Sequence, residues 1–193
     1  MLPGESFIGL GFHKFYVSVH YMPEMIKNHF GSGEDLNVTI RYIDEVEPLG
    51  TAGSLSLMQE IGNLPVVVMN GDLLSRVNYL DLLKFHQENV AVATVCSREF
   101  SYEVPFGVLK FNGYDVREIV EKPLNKCFVS AGIYVIEPSV IASMQRGAAI
   151  DMPDLLQNLI DNKQRVSTFP IHEYWLDIGR FADYERANKD FLT

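Results

Sequence analysis

The chain has 193 residues, enough for one domain with a sizeable core. Hydrophobic residues make up 47% and charged residues 21%, which excludes a disordered or fibrous chain. A formal net charge of −9 argues against a nucleic-acid face, which needs clustered Lys and Arg, but leaves room for a small anion held by local basic groups or a metal.

Residues 15–19 read as a short strand, and Pro23 opens an amphipathic helix that stops before Gly31. Residues 38–42 form the next strand, a polar loop reaches Pro48, and Leu55, Met58 and Ile61 give residues 53–61 helical spacing. Residues 65–69 are an unbroken apolar run, suited to a central parallel strand with both faces covered, and they end in Asn70-Gly71-Asp72. Asn78, with Asp81 three positions on, caps a helix predicted through Asn89, and residues 91–95 supply another buried strand.

After Arg98 the rhythm changes. Residues 107–111 and 116–120 flank Asn112-Gly113, the signature of a hairpin inserted in an otherwise parallel sheet. A strand over 129–136, a helix around 154–160, a strand over 165–169 and a helix over 181–188 complete the pattern. The sum is a single α/β domain over residues 1–193, doubly wound and Rossmann-like, with a mixed, mostly parallel sheet. Residues 5–10 read as the last turns of a helix, and such a domain begins with a strand and a tight turn, so the first strand is expected to lie outside this chain.

The two cysteines, Cys96 and Cys127, are too few for a disulfide scaffold and too far apart for a local metal pair, so a cytoplasmic setting is expected. No apolar run reaches the ~18 residues of a membrane span, so no membrane partner is expected.

Asp72 stands just past an apolar strand, where doubly wound sheets place their ligands. A carboxylate there can hold Mg²⁺ beside substrate phosphates, and it can equally be part of a polar turn. Leu49-Gly50-Thr51-Ala52-Gly53 opens a helix with two glycines, which suits close approach of a ligand to backbone amides and also suits a plain loop-to-helix junction. Glu121-Lys122-Pro123 follows a strand, and Trp175-Leu176-Asp177-Ile178-Gly179 holds a second acidic residue beside the single Trp. Singly, such a lysine reads as solvated and such a tryptophan as core.

Together and in order, these segments resemble the sugar-1-phosphate nucleotidyltransferase family across residues 11–188. The resemblance rests on Glu45 with Pro48-Leu49-Gly50-Thr51-Ala52-Gly53, Asn70-Gly71-Asp72, Pro105-Phe106-Gly107-Val108, Glu121-Lys122-Pro123, Ser130-Ala131-Gly132-Ile133-Tyr134 and Trp175-Leu176-Asp177-Ile178-Gly179. It implies the nucleotide-diphospho-sugar transferase fold and a reaction that joins a nucleoside triphosphate to a sugar 1-phosphate, giving an NDP-sugar and pyrophosphate. By that resemblance Asp72 and Asp177 would bind Mg²⁺ and Lys122 would touch the sugar phosphate. Glu121, Gly107, Ala131 and Gly132 would hold the sugar, with Trp175 beside them. Glu45, Gly50, Thr51 and Gly53 would read the base, and a carboxylate facing ring N–H groups favours guanine, hence GTP. Uridylyl or thymidylyl transfer stands behind that reading.

The chain departs from the pattern twice. Ser130 stands where the family usually has Asn, and the glycine-rich phosphate-binding loop belongs before Glu5. Without that loop the chain is expected to be an impaired catalyst, and a non-catalytic regulatory or assembly subunit that binds nucleotide-sugar is the alternative from another class. Self-association into a homo-oligomer is expected by the same resemblance.

Overall fold

Residues 7–179 are described in the structure, a computed structural model. They run β1 (Lys14–Val19), α1 (Pro23–Phe30), β2 (Thr39–Asp44), α2 (Gly50–Gly53), β3 (Val66–Met69), β4 (Leu73–Ser75), α3 (Tyr79–Glu88), β5 (Ala93–Glu103), β6 (Val108–Asn112), β7 (Asp115–Val120), β8 (Leu124–Ile136), α4 (Pro138–Ser143), α5 (Met152–Asp161), β9 (Val166–Pro170) and β10 (Trp175–Asp177). The helix expected over 181–188 lies outside the described residues. Among the described residues no helix is long and apolar enough to cross a membrane.

Residues 131–136 of β8 are all buried, and a strand with no exposed side chain must be packed on both faces. Tyr134 and Ile136 point into one apolar cluster with Leu155 and Leu159 of α5 and Val140 and Ile141 of α4. Ala131, Ile133 and Val135 point into a second, with Tyr79 and Leu82 of α3 and Leu73. The result is a helix, sheet and helix sandwich built on the order β3-β8-β5-β9. β8 runs antiparallel to β3 and β5, while β9 is parallel to β5, so β3, β5 and β9 share one direction and the expected mixed sheet is present. β1 and β2 form a separate parallel pair.

Local chemistry explains several boundaries. The Asn78 side chain accepts from the amides of Leu80 at 3.1 Å and Asp81 at 3.4 Å, so α3 starts where the cap predicts. The Asn112-Gly113 hairpin forms, but Asn112 pairs with Asp115, which leaves Gly113 and Tyr114 as the two-residue loop. Gly113 takes φ +59, the conformation such a tight turn requires.

The helix expected over 53–61 is corrected. Helical backbone begins at Gly50, tightens into a 3₁₀ turn over Ser54–Leu57 and ends at Met58. Leu55 and Met58 are buried in the first cluster and Ile61 packs against it, so the apolar spacing survives without a continuous helix. The 65–69 run is also less central than expected. β3 ends the four-strand ladder and is half-buried, yet Val66 and Val68 pack on one cluster and Val67 and Met69 on the other. β4 and β10 carried no sequence signal of their own.

Candidate active site

Beyond β3 the chain passes through Asn70-Gly71-Asp72 and enters β4, whose antiparallel partner is β10, with Asp177 opposite Leu73. The Ile178 amide donates to the Asp72 carbonyl at 2.8 Å, which closes the ladder beside both acidic residues. Two carboxylates from distant segments therefore meet. A β-carbon placed on Gly179 would lie 3.0 Å from Asp177 Oδ1 and 3.1 Å from Asp72 Oδ2, so one small space is faced by an oxygen of each. The Gly179 amide donates to Asp177 Oδ1 at 2.9 Å, and both aspartates are exposed.

Such a pair fits a hard cation that keeps waters and takes further oxygens from a phosphate. Among the described residues no group of three or more His, Cys, Asp or Glu is placed to hold a metal, so water or a ligand would complete the shell of a cation held by these two carboxylates. Beneath this edge, burial pushes the Tyr79 hydroxyl and the Cys96 thiol up to about 12. Neither group exchanges protons near neutral pH.

Trp175, Ala131 and Gly132 adjoin the carboxylates. The Trp175 indole N–H donates to the Ala131 carbonyl at 2.7 Å, and the Asn70 amide donates to the Gly132 carbonyl at 3.0 Å. Gly132 has φ +70, and a β-carbon there would sit 2.8 Å from Leu73 Cδ1 and 3.0 Å from Asn70 Nδ2. Only glycine fits. Ser130 Oγ lies 2.9 Å from the Tyr134 hydroxyl.

Gly107 and Glu121 are brought together at the root of the β6–β7 hairpin. A β-carbon on Gly107 would meet Glu121 Oε2 at 3.1 Å, so the bare backbone makes room for that carboxylate. Lys122 follows in the left-handed region at φ +44, which costs an L-residue about 1 kcal/mol. Its ammonium is exposed and has no ion-pair partner among the described residues.

The segment expected to read the base makes contacts within the fold. Glu45 Oε2 accepts the Leu49 amide at 2.8 Å and Oε1 accepts the Ser18 hydroxyl, so both oxygens hold the fold. Gly50 and Gly53 face the 148–151 backbone, where a β-carbon would meet the Ile150 carbonyl at 2.7 Å and the Ala148 carbonyl at 2.6 Å respectively. Thr51 Oγ1 accepts the Met152 amide at 2.7 Å, while Asp151 Oδ1 accepts the Thr51 amide at 3.0 Å. No sequence reasoning singled out Asp151 or Ser18. An Asp ahead of Met152-Pro153 is a helix-start pattern, and it was the available signal for Asp151.

Comparisons with known proteins place the chain in a family. A family described as Nucleotidyl transferase matches residues 2–193. A mannose-1-phosphate guanyltransferase of Yarrowia lipolytica is 31% identical over 191 residues, covering 93% of this chain and 52% of the relative. One from Pichia angusta is 30% identical, covering 93% and 52%. The chain thus spans about half the length of these relatives. Among solved structures, HddC from Yersinia pseudotuberculosis superposes with a TM-score of 0.74 at 22% identity, covering 97% of this chain and 83% of that one. The same protein complexed with GMP-PN gives 0.71 at 20% identity, again covering 97% and 83%. These likenesses extend over nearly the whole sequence, and the chain belongs to the nucleotidyl transferase family.

Proposed function

We propose that the protein transfers a nucleotidyl group to a sugar 1-phosphate. A phosphate oxygen of the sugar 1-phosphate attacks the α-phosphorus of a nucleoside triphosphate, the bond to the β-phosphate oxygen breaks, and pyrophosphate leaves with its charge. GTP is the favoured nucleotide, and mannose 1-phosphate is the first acceptor to try, because the relatives reported above are mannose-1-phosphate guanyltransferases.

The observation that carries the reading is the convergence of Asp72 and Asp177 on one space at the end of β3 and β10. Bound between them, Mg²⁺ would neutralise charge on the triphosphate. The chain's own groups then align and orient, since the protein has little covalent work in phosphoryl chemistry. Lys122, exposed and without a carboxylate partner among the described residues, suits the sugar phosphate. Glu121 and the bare Gly107 backbone suit sugar hydroxyls, and so does the Ala131–Gly132 segment. Glu45 already holds the Ser18 hydroxyl and the Leu49 amide, one on each oxygen, and the lone pairs left on those oxygens suit guanine N–H groups, so base reading by Glu45 is coupled to the shape of the Gly50–Gly53 segment. The unpaired Cys96 and Cys127 support a reducing, cytoplasmic setting.

Pyrophosphate release by the folded chain with GTP, mannose 1-phosphate and Mg²⁺ tests the reading. Turnover that needs both substrates is expected. Better turnover with UTP or dTTP would overturn the base preference alone, and no release with any triphosphate and sugar 1-phosphate pair would overturn the transfer itself.

A further inference from the structure

β8 leaves its regular ladder with β5 beside the carboxylates. Val95 pairs with Tyr134, and the next pair is Ser97 with Ser130, so residues 131–133 bulge opposite Cys96. Gly132, at φ +70, makes that bulge possible. Its effect is to aim two consecutive carbonyls out of the ladder. Ala131 receives the Trp175 indole N–H and Gly132 receives the Asn70 amide. Asn70 and Trp175 each lie two residues before an aspartate, Asp72 and Asp177. One bulge therefore fastens both carboxylate-bearing segments at the same offset, and the Ile178 amide on the Asp72 carbonyl ties their far ends.

Indole has a single polar group, a donor, and Trp175 spends it on Ala131. Its ring is held on another side by Arg98, whose guanidinium carbon lies 5.9 Å from the ring centroid and whose Nη1 donates to the Glu173 carbonyl at 2.8 Å. We infer that Trp175 is a positioning residue: through the Ala131 carbonyl it sets the spacing of Asp72 and Asp177, and so the affinity for a divalent cation. This inference rests on the two-carboxylate reading above.

The test uses Mn²⁺ as the probe, with free Mn²⁺ followed by electron paramagnetic resonance. Trp175→Phe keeps a ring for Arg98 and removes the donor. Replacement of Trp175 by 3-benzothienylalanine keeps the whole bicycle and exchanges only the N–H for sulfur, so it reads the same bond where the Phe variant fails to fold. Either variant is expected to weaken Mn²⁺ binding about 10-fold, as loss of a partner behind a metal ligand does. The rate lost at low Mg²⁺ should return at high Mg²⁺, with KM for the sugar phosphate unchanged. Unchanged Mn²⁺ affinity with a raised KM for the sugar phosphate would overturn the inference in favour of a sugar-contacting tryptophan. Unchanged values of both would overturn it outright. Mn²⁺ binding untouched by Asp72→Asn and Asp177→Asn would instead bring down the two-carboxylate reading, and this inference with it.

Discussion

The segment from Glu45 to Gly53 and the edge bearing Asp72 and Asp177 were picked out by the same kind of motif, yet they are built in opposite ways. In the first, polar groups are consumed internally: Glu45 holds Ser18 and Leu49, Thr51 caps the start of α5, and the space beside Gly50 and Gly53 is filled by the 148–151 backbone. In the second, two carboxylates are exposed and share an open space. Side chains already engaged within the fold set shape. A region that leaves charge uncompensated is where a ligand can supply the missing partner.

Substitutions can break that contrast. Asp72→Asn and Asp177→Asn should each lower the rate of pyrophosphate release by about 100-fold or more, because they remove groups arranged around charge on the substrate. Their unfolding free energies in urea should stay within about 0.5 kcal/mol of wild type, as for other exposed positions. Large destabilisation would mean these carboxylates are structural after all.

The opposite signature is expected at the docked segment. Gly53→Ala drives a β-carbon to 2.6 Å from the Ala148 carbonyl and should cost about 2 kcal/mol in chemical denaturation. Gly50→Ala adds the strain of φ +74 to a similar clash and should cost about 3 kcal/mol. Wild-type stability in either variant would show that the segment is not docked as described.

The smallest effect sharpens the comparison at the margin of the docked region. Glu60 follows the 3₁₀ turn and takes Lys14 at 2.8 Å and Arg41 at 2.9 Å from β1 and β2. The hydrogen bond from Lys14 and then that from Arg41 hold its carboxyl below its ordinary value of 4.5. A carboxyl lowered on folding stabilises above its unfolded value, and that contribution fades as the pH falls through the lower folded one. Glu60→Gln should therefore shift the urea midpoint slightly at pH 7, less in high salt, and not at all at pH 2. A shift that grows on acidification would contradict the assigned ion pairs.

Much of the fold was legible because the physics behind it is local. The buried strands of the sheet announce themselves as apolar runs, Asn78 caps α3 by bonding amides two and three residues away, and Asn112-Gly113 marks a hairpin whose loop proved to be Gly113-Tyr114. The helix through Ile61 was misjudged because helical spacing reports only which side chains point inward. A 3₁₀ turn and an extended exit deliver Leu55, Met58 and Ile61 to the same cluster. β4 and β10 were invisible because three residues carry no period and each exists by pairing with the other.

The sequence by itself determined the α/β class and the family, and it singled out Glu45, Gly50, Gly53, Asp72, Lys122 and Asp177 as candidates, since each follows from residue type and near-neighbour order. Only the tertiary structure decided which of those groups stand open and which are spent. The side chain of Glu45 can face a ligand or hold a loop, and here it holds the Ser18 hydroxyl and the Leu49 amide. The glycines at 50 and 53 can admit a ligand or a neighbouring strand of chain, and the 148–151 backbone occupies that space. Such outcomes depend on distances between segments remote in sequence, and no local pattern encodes a distance.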